Sequence, residues 1–263
     1  MSVKKEANGR RSVQVEVEVP GTPEQVWQAI ATGPGVGAWF VPTEVDGWVG
    51  GVVTSHFGGG MDAEATITKW DAPHSFVAEG SWGPSGPTVA TEWTVEARDG
   101  GTCVVRVVHS LFAETDDWDN QLEGTETGWP SFFRILGLYL KHFAGQPSKL
   151  MQLVAFPAAG SGAWEKLAGA LNLAGATIGE RRNASAGAPP LSGIVEAAHQ
   201  GAHPDALLLT DLPAPGAVFA GACPAGDKEM VSVSFYLYGD TAAAVVARDE
   251  LAWTAWMNNL FPA

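Results

Sequence analysis

The chain has 263 residues, an apolar share of 46% and a formal net charge of −14. This supports one large or two small domains with a sizeable core, and it excludes wholesale disorder. Both halves are acidic, which excludes the basic footprint of a nucleic-acid binder and the charge that would draw the chain to an anionic membrane.

Residues 1–12, MSVKKEANGRRS, read as a polar, flexible tail without the apolar segment of a signal peptide. Val13, Val15, Val17 and Val19 then alternate with Gln14, Glu16 and Glu18, the period of a strand with one buried face. Pro20-Gly21 stops it. Thr22 is a good N-cap, Pro23 suits the first helical position and Glu24 the first turn. The helix carries Val26, Trp27 and Ile30 on one face and ends at Gly33-Pro34-Gly35. A short helical turn follows from Val36 to Phe40.

From Glu44 to Ser110 the pattern predicts six strands, near 44–48, 51–57, 62–70, 75–82, 88–97 and 103–111. The glycine, proline and aspartate clusters between them mark hairpin turns, so the strands form an antiparallel meander. An acidic stretch from Glu114 to Glu126 reads as a solvated lead-in, and a helix is predicted to start near Trp129-Pro130. Its apolar positions Trp129, Phe132, Phe133, Leu136, Leu140 and Phe143 form one stripe, and Gly145 and Pro147 end it. Only this helix has a stripe wide enough to cover the meander, so the sheet must curve around it. The fold class is α+β, a helix grip, and the space between sheet and helix is the natural ligand site.

Residues 151–263 repeat this order in shortened form. A strand at 151–156 is followed by a helix with Trp164, Leu167 and Leu171, then a polar loop from Arg181 to Pro190. Strands near 192–198, 206–212, 216–222 and 230–238 lead to a helix capped by Thr241 that carries Trp253, Trp256 and Met257. Element order alone points to a second, degenerate helix-grip copy. The domain reading is therefore a tail at 1–12, a first domain at 13–147 and a second at 151–263.

Several segments of the first half are recognisable. TPEQVWQAI (22–30), GAWF (37–40), the paired glycines 50–51, TEWTVEARDGGTCVVRVVHSLF (91–112) and GW (128–129), in that order, resemble the Hsp90 ATPase activator homologue (AHSA1-like) family of the START/Bet v 1-like (SRPBCC) superfamily. The resemblance covers roughly residues 12–146. It implies a hydrophobic cavity between sheet and C-terminal helix but no fixed catalytic set. The second half is not the extra domain that the eukaryotic Hsp90 activator carries, so the resemblance does not bring an Hsp90 role with it.

Within that frame His109 shares a strand face with Val105, Val107 and Leu111, opposite Arg106. It reads as a hydrogen-bonded core histidine, or as a polar anchor or general acid/base at the cavity wall; both readings stay open. Trp93, with Thr91 and Val95, faces inward, and Trp82 ends its strand on the same side. Trp39 and Phe40 sit at the mouth, and Trp129, Phe133 and Leu136 supply the helix side. The expected ligand-binding set is Trp39, Phe40, Trp82, Trp93, Val107, His109, Trp129, Phe133 and Leu136, an aromatic wall suited to a flat, ring-bearing molecule.

Cys103 and Cys223 are isolated, with no disulfide framework and no CxxC pair. The acidic cluster does not match an EF-hand loop. Gly201 and Pro204 argue against His199 and His203 sharing a helix face as metal ligands. HExxH, GxSxG and phosphate-loop motifs are absent. The expectation is therefore no cofactor and no metal. The expected partner is a small hydrophobic molecule rather than nucleic acid, with no membrane insertion, in a cytoplasmic, bacterial protein of unspecified oligomeric state. Binding, carriage or sensing of that molecule leads. A cyclase- or dehydratase-like enzyme using His109 is the alternative, and a co-chaperone-like interaction module is the third.

Overall fold

The alternating valines of residues 13–19 lie in a strand, β2 (Arg10–Pro20), whose full ladder is made with a strand distant in sequence, β8 (Thr102–Phe112). A computed structural model of the chain describes residues 3–58, 62–81, 83, 86–113 and 115–262. It divides into two units, Met1–Ala144 and Gly145–Ala263.

In the first unit, β1 (Lys4–Lys5) and β2 are followed by helices α1 (Pro23–Ala31) and α2 (Gly33–Gly37). Thr22 caps α1 through a reciprocal capping box with Gln25. Strands β3 (Thr43–Val45), β4 (Val52–His56), β5 (Asp62–Asp71), β6 (Ser75–Ser81), β7 (Thr88–Arg98) and β8 make the meander. The sheet order is β1-β2-β8-β7-β6-β5-β4-β3, all antiparallel. A bulge between Ile67 and Lys69 bends β5. Gly80 lets β6 approach β5 there; a Cβ at that position would lie 2.4 Å from the carbonyl oxygen of Glu64. The curved sheet grips helix α3 (Asp119–His142), which runs beside β2.

The sequence reading needs two corrections here. Residues 3–12 are not a tail: Lys4 and Lys5 pair with Ser12 and Arg11, and Val3 is buried. The long helix starts ten residues before Trp129, at Asp119, and continues through Pro130. The acidic lead-in is thus mostly helix, and it is held rather than merely solvated. Asp119 binds Lys5 and Arg11 at 2.6 Å each, and Asp116 binds Arg11 at 2.7 Å. Arg11 is only 7% exposed. Leu122 is fully buried in a small cluster with Val3, Val13, Val89 and Leu111, which fixes the first turns of α3 without help from propensity.

The second unit runs β9 (Ser148–Ala155), α4 (Ala163–Ala170), β10 (Arg181–Asn183), β11 (Ser192–His199), β12 (Asp205–Leu212), β13 (Gly216–Ala225), β14 (Lys228–Tyr238) and α5 (Ala242–Leu260). β10 falls in the stretch read as a loop; three residues of polar sequence carry no strand period. The sheet order is β10-β11-β12-β13-β14-β9. In each unit a meander is closed by pairing the strand before the first helix, β2 or β9, with the last strand, β8 or β14. The chain is thus an α+β pair of helix-grip units, the second with fewer strands. Its core packs Trp253 of α5 on Phe235 with ring centroids 4.7 Å apart.

Candidate functional site

A cavity of about 690 Å³, partly open to solvent and mainly apolar, lies in the first unit. That volume falls among small-molecule sites, which span roughly 300–1,000 Å³. Its walls come from the residues after α2, the inner faces of β3–β8 and the first half of α3.

The sequence brings aromatic rings to one side of it. Trp39 follows α2 and is pinned by donation from its Nε1 to the Ala29 carbonyl at 2.9 Å. Phe40 stacks on Trp129 at 5.2 Å and meets Phe132 edge-on at 4.7 Å and Phe57 at 5.8 Å. Trp93, central on β7, stands edge-on to Trp129 at 5.1 Å. Such edge-to-face and offset contacts are the favoured geometries for aromatic rings and hold the wall rigid.

His109 lies opposite Thr91 in the β7–β8 ladder. Its Nδ1 is 3.0 Å from Thr91 Oγ1, and its Nε2 accepts from Trp129 Nε1–H at 2.7 Å. The indole is donor-only, so Nε2 carries no proton and the neutral imidazole keeps its hydrogen on Nδ1. Burial pushes the His109 pKa down to about 4. The ring is therefore uncharged near neutrality, with both nitrogens engaged.

Of the expected ligand-binding set, Trp39, Phe40, Trp93, His109 and Trp129 meet at this cavity. Val107, Phe133 and Leu136 do not line it; all three are buried core. Phe133 sits behind the wall, 5.5 Å from Trp129 and 6.4 Å from Trp39. Trp82 lies outside the described residues. His56, the last residue of β4, meets its ladder partner Asp62 on β5, with Nδ1 3.0 Å from the carboxylate.

The sequence reading found Trp129 on the helix side of the wall but missed the turns of α3 before it. Gln121, Gly124, Thr125 and Gly128 line the cavity from the part of α3 that was read as a lead-in. A Cβ added at Gly124 or Gly128 would meet nothing within 4 Å. The i, i+4 spacing of these glycines beside Trp129 is the signal that could have found them: they open the helix face where a larger side chain would fill the space. Charge is sparse. The described lining residues include no Lys or Arg, and the one carboxylate, Glu64, is exposed. Among the described residues no group of three or more His, Cys, Asp or Glu could hold a metal ion, and no helix is long and apolar enough to cross a membrane.

Residues 20–141 match the model of the family described as Activator of Hsp90 ATPase homolog 1-like protein. No curated protein matches the chain. Among solved structures, protein MLL2253 from Mesorhizobium loti is 20% identical over 51% of this chain and 98% of its own, with a TM-score of 0.47. DynU16, from the dynemicin biosynthetic locus, is 18% identical over 95% of this chain and 97% of its own, with a TM-score of 0.44. BexL, a di-domain ARO/CYC from the BE-7585A biosynthetic pathway, is 12% identical over 96% of this chain and 99% of its own, with a TM-score of 0.45.

Proposed function

We propose, from the match of residues 20–141 to the Activator of Hsp90 ATPase homolog 1-like model, that the first unit binds a small, neutral, ring-bearing hydrophobic molecule between its sheet and α3. The protein carries, sequesters or senses this molecule. The observation that carries the reading is the space of about 690 Å³ left unfilled beside Trp39, Phe40, Trp93 and Trp129. A wall of fixed rings favours flat apolar surfaces. Without Lys or Arg among its described lining residues, the wall gives an anion no charged partner to offset its desolvation.

A catalytic role for His109 is the weaker reading. Its one free lone pair is already occupied by Trp129 and its hydrogen by Thr91. A base needs that lone pair at the proton it removes. An interaction-module role is also weaker, because it does not require an unfilled interior.

Native mass spectrometry of freshly purified protein, followed by titration with the neutral polycyclic dye Nile red, tests this function. The expected results are a co-purified small molecule or saturable, stoichiometric dye binding. Failure of both would remove the proposal. Turnover of a bound molecule that is lost in His109→Ala, with affinity kept, would replace it by the enzymatic reading.

A further inference from the structure

The hydrogen-bond directions in the cavity wall say more about the guest, given the ligand-binding reading. Five described hydroxyl side chains line the space: Thr43, Ser55, Ser81, Thr91 and Thr125. Thr43 donates to the Val41 carbonyl at 2.9 Å, which leaves its oxygen to accept from Ser55 at 3.4 Å. Ser81 donates to Gly83 at 2.8 Å, and Thr125 donates to the Leu122 carbonyl at 2.7 Å. Four hydrogens are therefore committed to the protein.

Thr91 is different because of a relay that starts two residues away in the network. Trp129 can only donate, so His109 Nε2 must accept, and the neutral ring must carry its hydrogen on Nδ1. At 3.0 Å from that nitrogen, Thr91 Oγ1 is then the acceptor. Among the described residues its own hydrogen has no partner, while the side chain lines the cavity. An unmet donor facing an apolar space is costly, and an acceptor on the guest relieves it.

We propose that the Thr91 hydroxyl is the specificity-determining donor of the cavity, and that the guest is a neutral cyclic molecule bearing a carbonyl or similar acceptor oxygen seated at Thr91. Trp129 and His109 are positioning residues that lock the direction of this donor. A plain hydrocarbon of the same shape fits the rings but leaves the hydroxyl unmet. Gln121 also carries N–H donors, but it is exposed and leaves an apolar guest's inner end to Thr91.

The test uses a matched pair of probes, fluorene and 9-fluorenone, which differ by one carbonyl. Their affinities are measured by isothermal titration for the full-length wild type, Thr91→Val and Thr91→Ser. The ratio of fluorenone to fluorene affinity is expected to fall about threefold to tenfold in Thr91→Val, the worth of one neutral hydrogen bond, and to survive in Thr91→Ser. The carbonyl stretch of bound fluorenone is expected at lower wavenumber in wild type and Thr91→Ser than in Thr91→Val. Should Thr91→Val fail to fold, the wild-type carbonyl stretch decides, and a non-hydrogen-bonded frequency overturns the assignment. An affinity ratio unchanged by Thr91→Val overturns the role of Thr91 while leaving the cavity as a ligand site. Binding of neither probe to the wild type overturns both.

Discussion

The indole N–H of Trp129 points at Nε2 of His109 across 2.7 Å, with the two ring planes only 14° apart. This bond ties the middle of α3 to the inner face of β8 and decides which nitrogen of the histidine keeps its proton. A buried imidazole held in this way resists protonation, because the charged form would lose its acceptor site as well as its hydration.

That resistance has a pH signature. The His109 pKa is about 4 in the folded chain, against an ordinary value of 6.5. Between these values the unfolded chain takes up a proton that the folded chain does not, so stability rises with pH across this window. The contribution is fully present above pH 6.5, is lost as pH falls toward 4, and totals on the order of 3 kcal/mol. Urea denaturation of wild type and His109→Gln from pH 7 to pH 4 checks it. The stability difference between the two proteins is expected to shift against the wild type as the pH drops. A difference that stays flat over this range would contradict the assignment.

Gly128 offers a way to separate stability from binding. It is a helix-interior glycine with open space where a side chain would go. Replacing glycine in a helix by a better former stabilises by roughly 0.5–1 kcal/mol, before any gain from filling a void. Gly128→Leu is expected to raise the melting temperature and abolish dye uptake together. A variant that still takes up dye with wild-type affinity would mean that the guest does not reach this part of the helix.

Leu122 tests what holds the start of α3. It is fully buried among Val3, Val13, Val89 and Leu111, away from the aromatic wall. Leu122→Ala is expected to cost about 2–4 kcal/mol and to raise amide exchange preferentially over residues 119–128. Uniform acceleration of exchange through the first unit would show that this segment does not open by itself.

Much of this architecture was legible in the chain. The alternation of Val105, Val107, His109 and Leu111 placed the histidine on the buried face, and the same period placed Trp93 and Thr91 inside. The apolar stripe of α3 found the gripped helix. It could not tell wall from core, because Trp129, Phe133 and Leu136 share one stripe but only Trp129 borders the space. A void is made by side chains that are missing, and the acidic residues around Gly124 led that stretch to be read as a solvated lead-in rather than as cavity wall. Pro130 supported the late helix start: it favours a first turn, yet here it sits mid-helix, and the missing N–H removes the rung to Glu126 that any other residue would supply. The Trp129–His109–Thr91 relay depends on register, which alternation leaves open.

The pairing of β2 with β8 has a consequence for synthesis. Val13 meets His109 and Val19 meets Cys103, so β2 leaves the ribosome long before β8, the strand it pairs with along its whole length. Until then the valines of β2 present an unmatched edge to other nascent chains. The second unit imposes the same delay, since Met151 pairs with Phe235. Long-range closure of this kind slows folding, and truncation before residue 102 leaves β2 without the strand it was built to join.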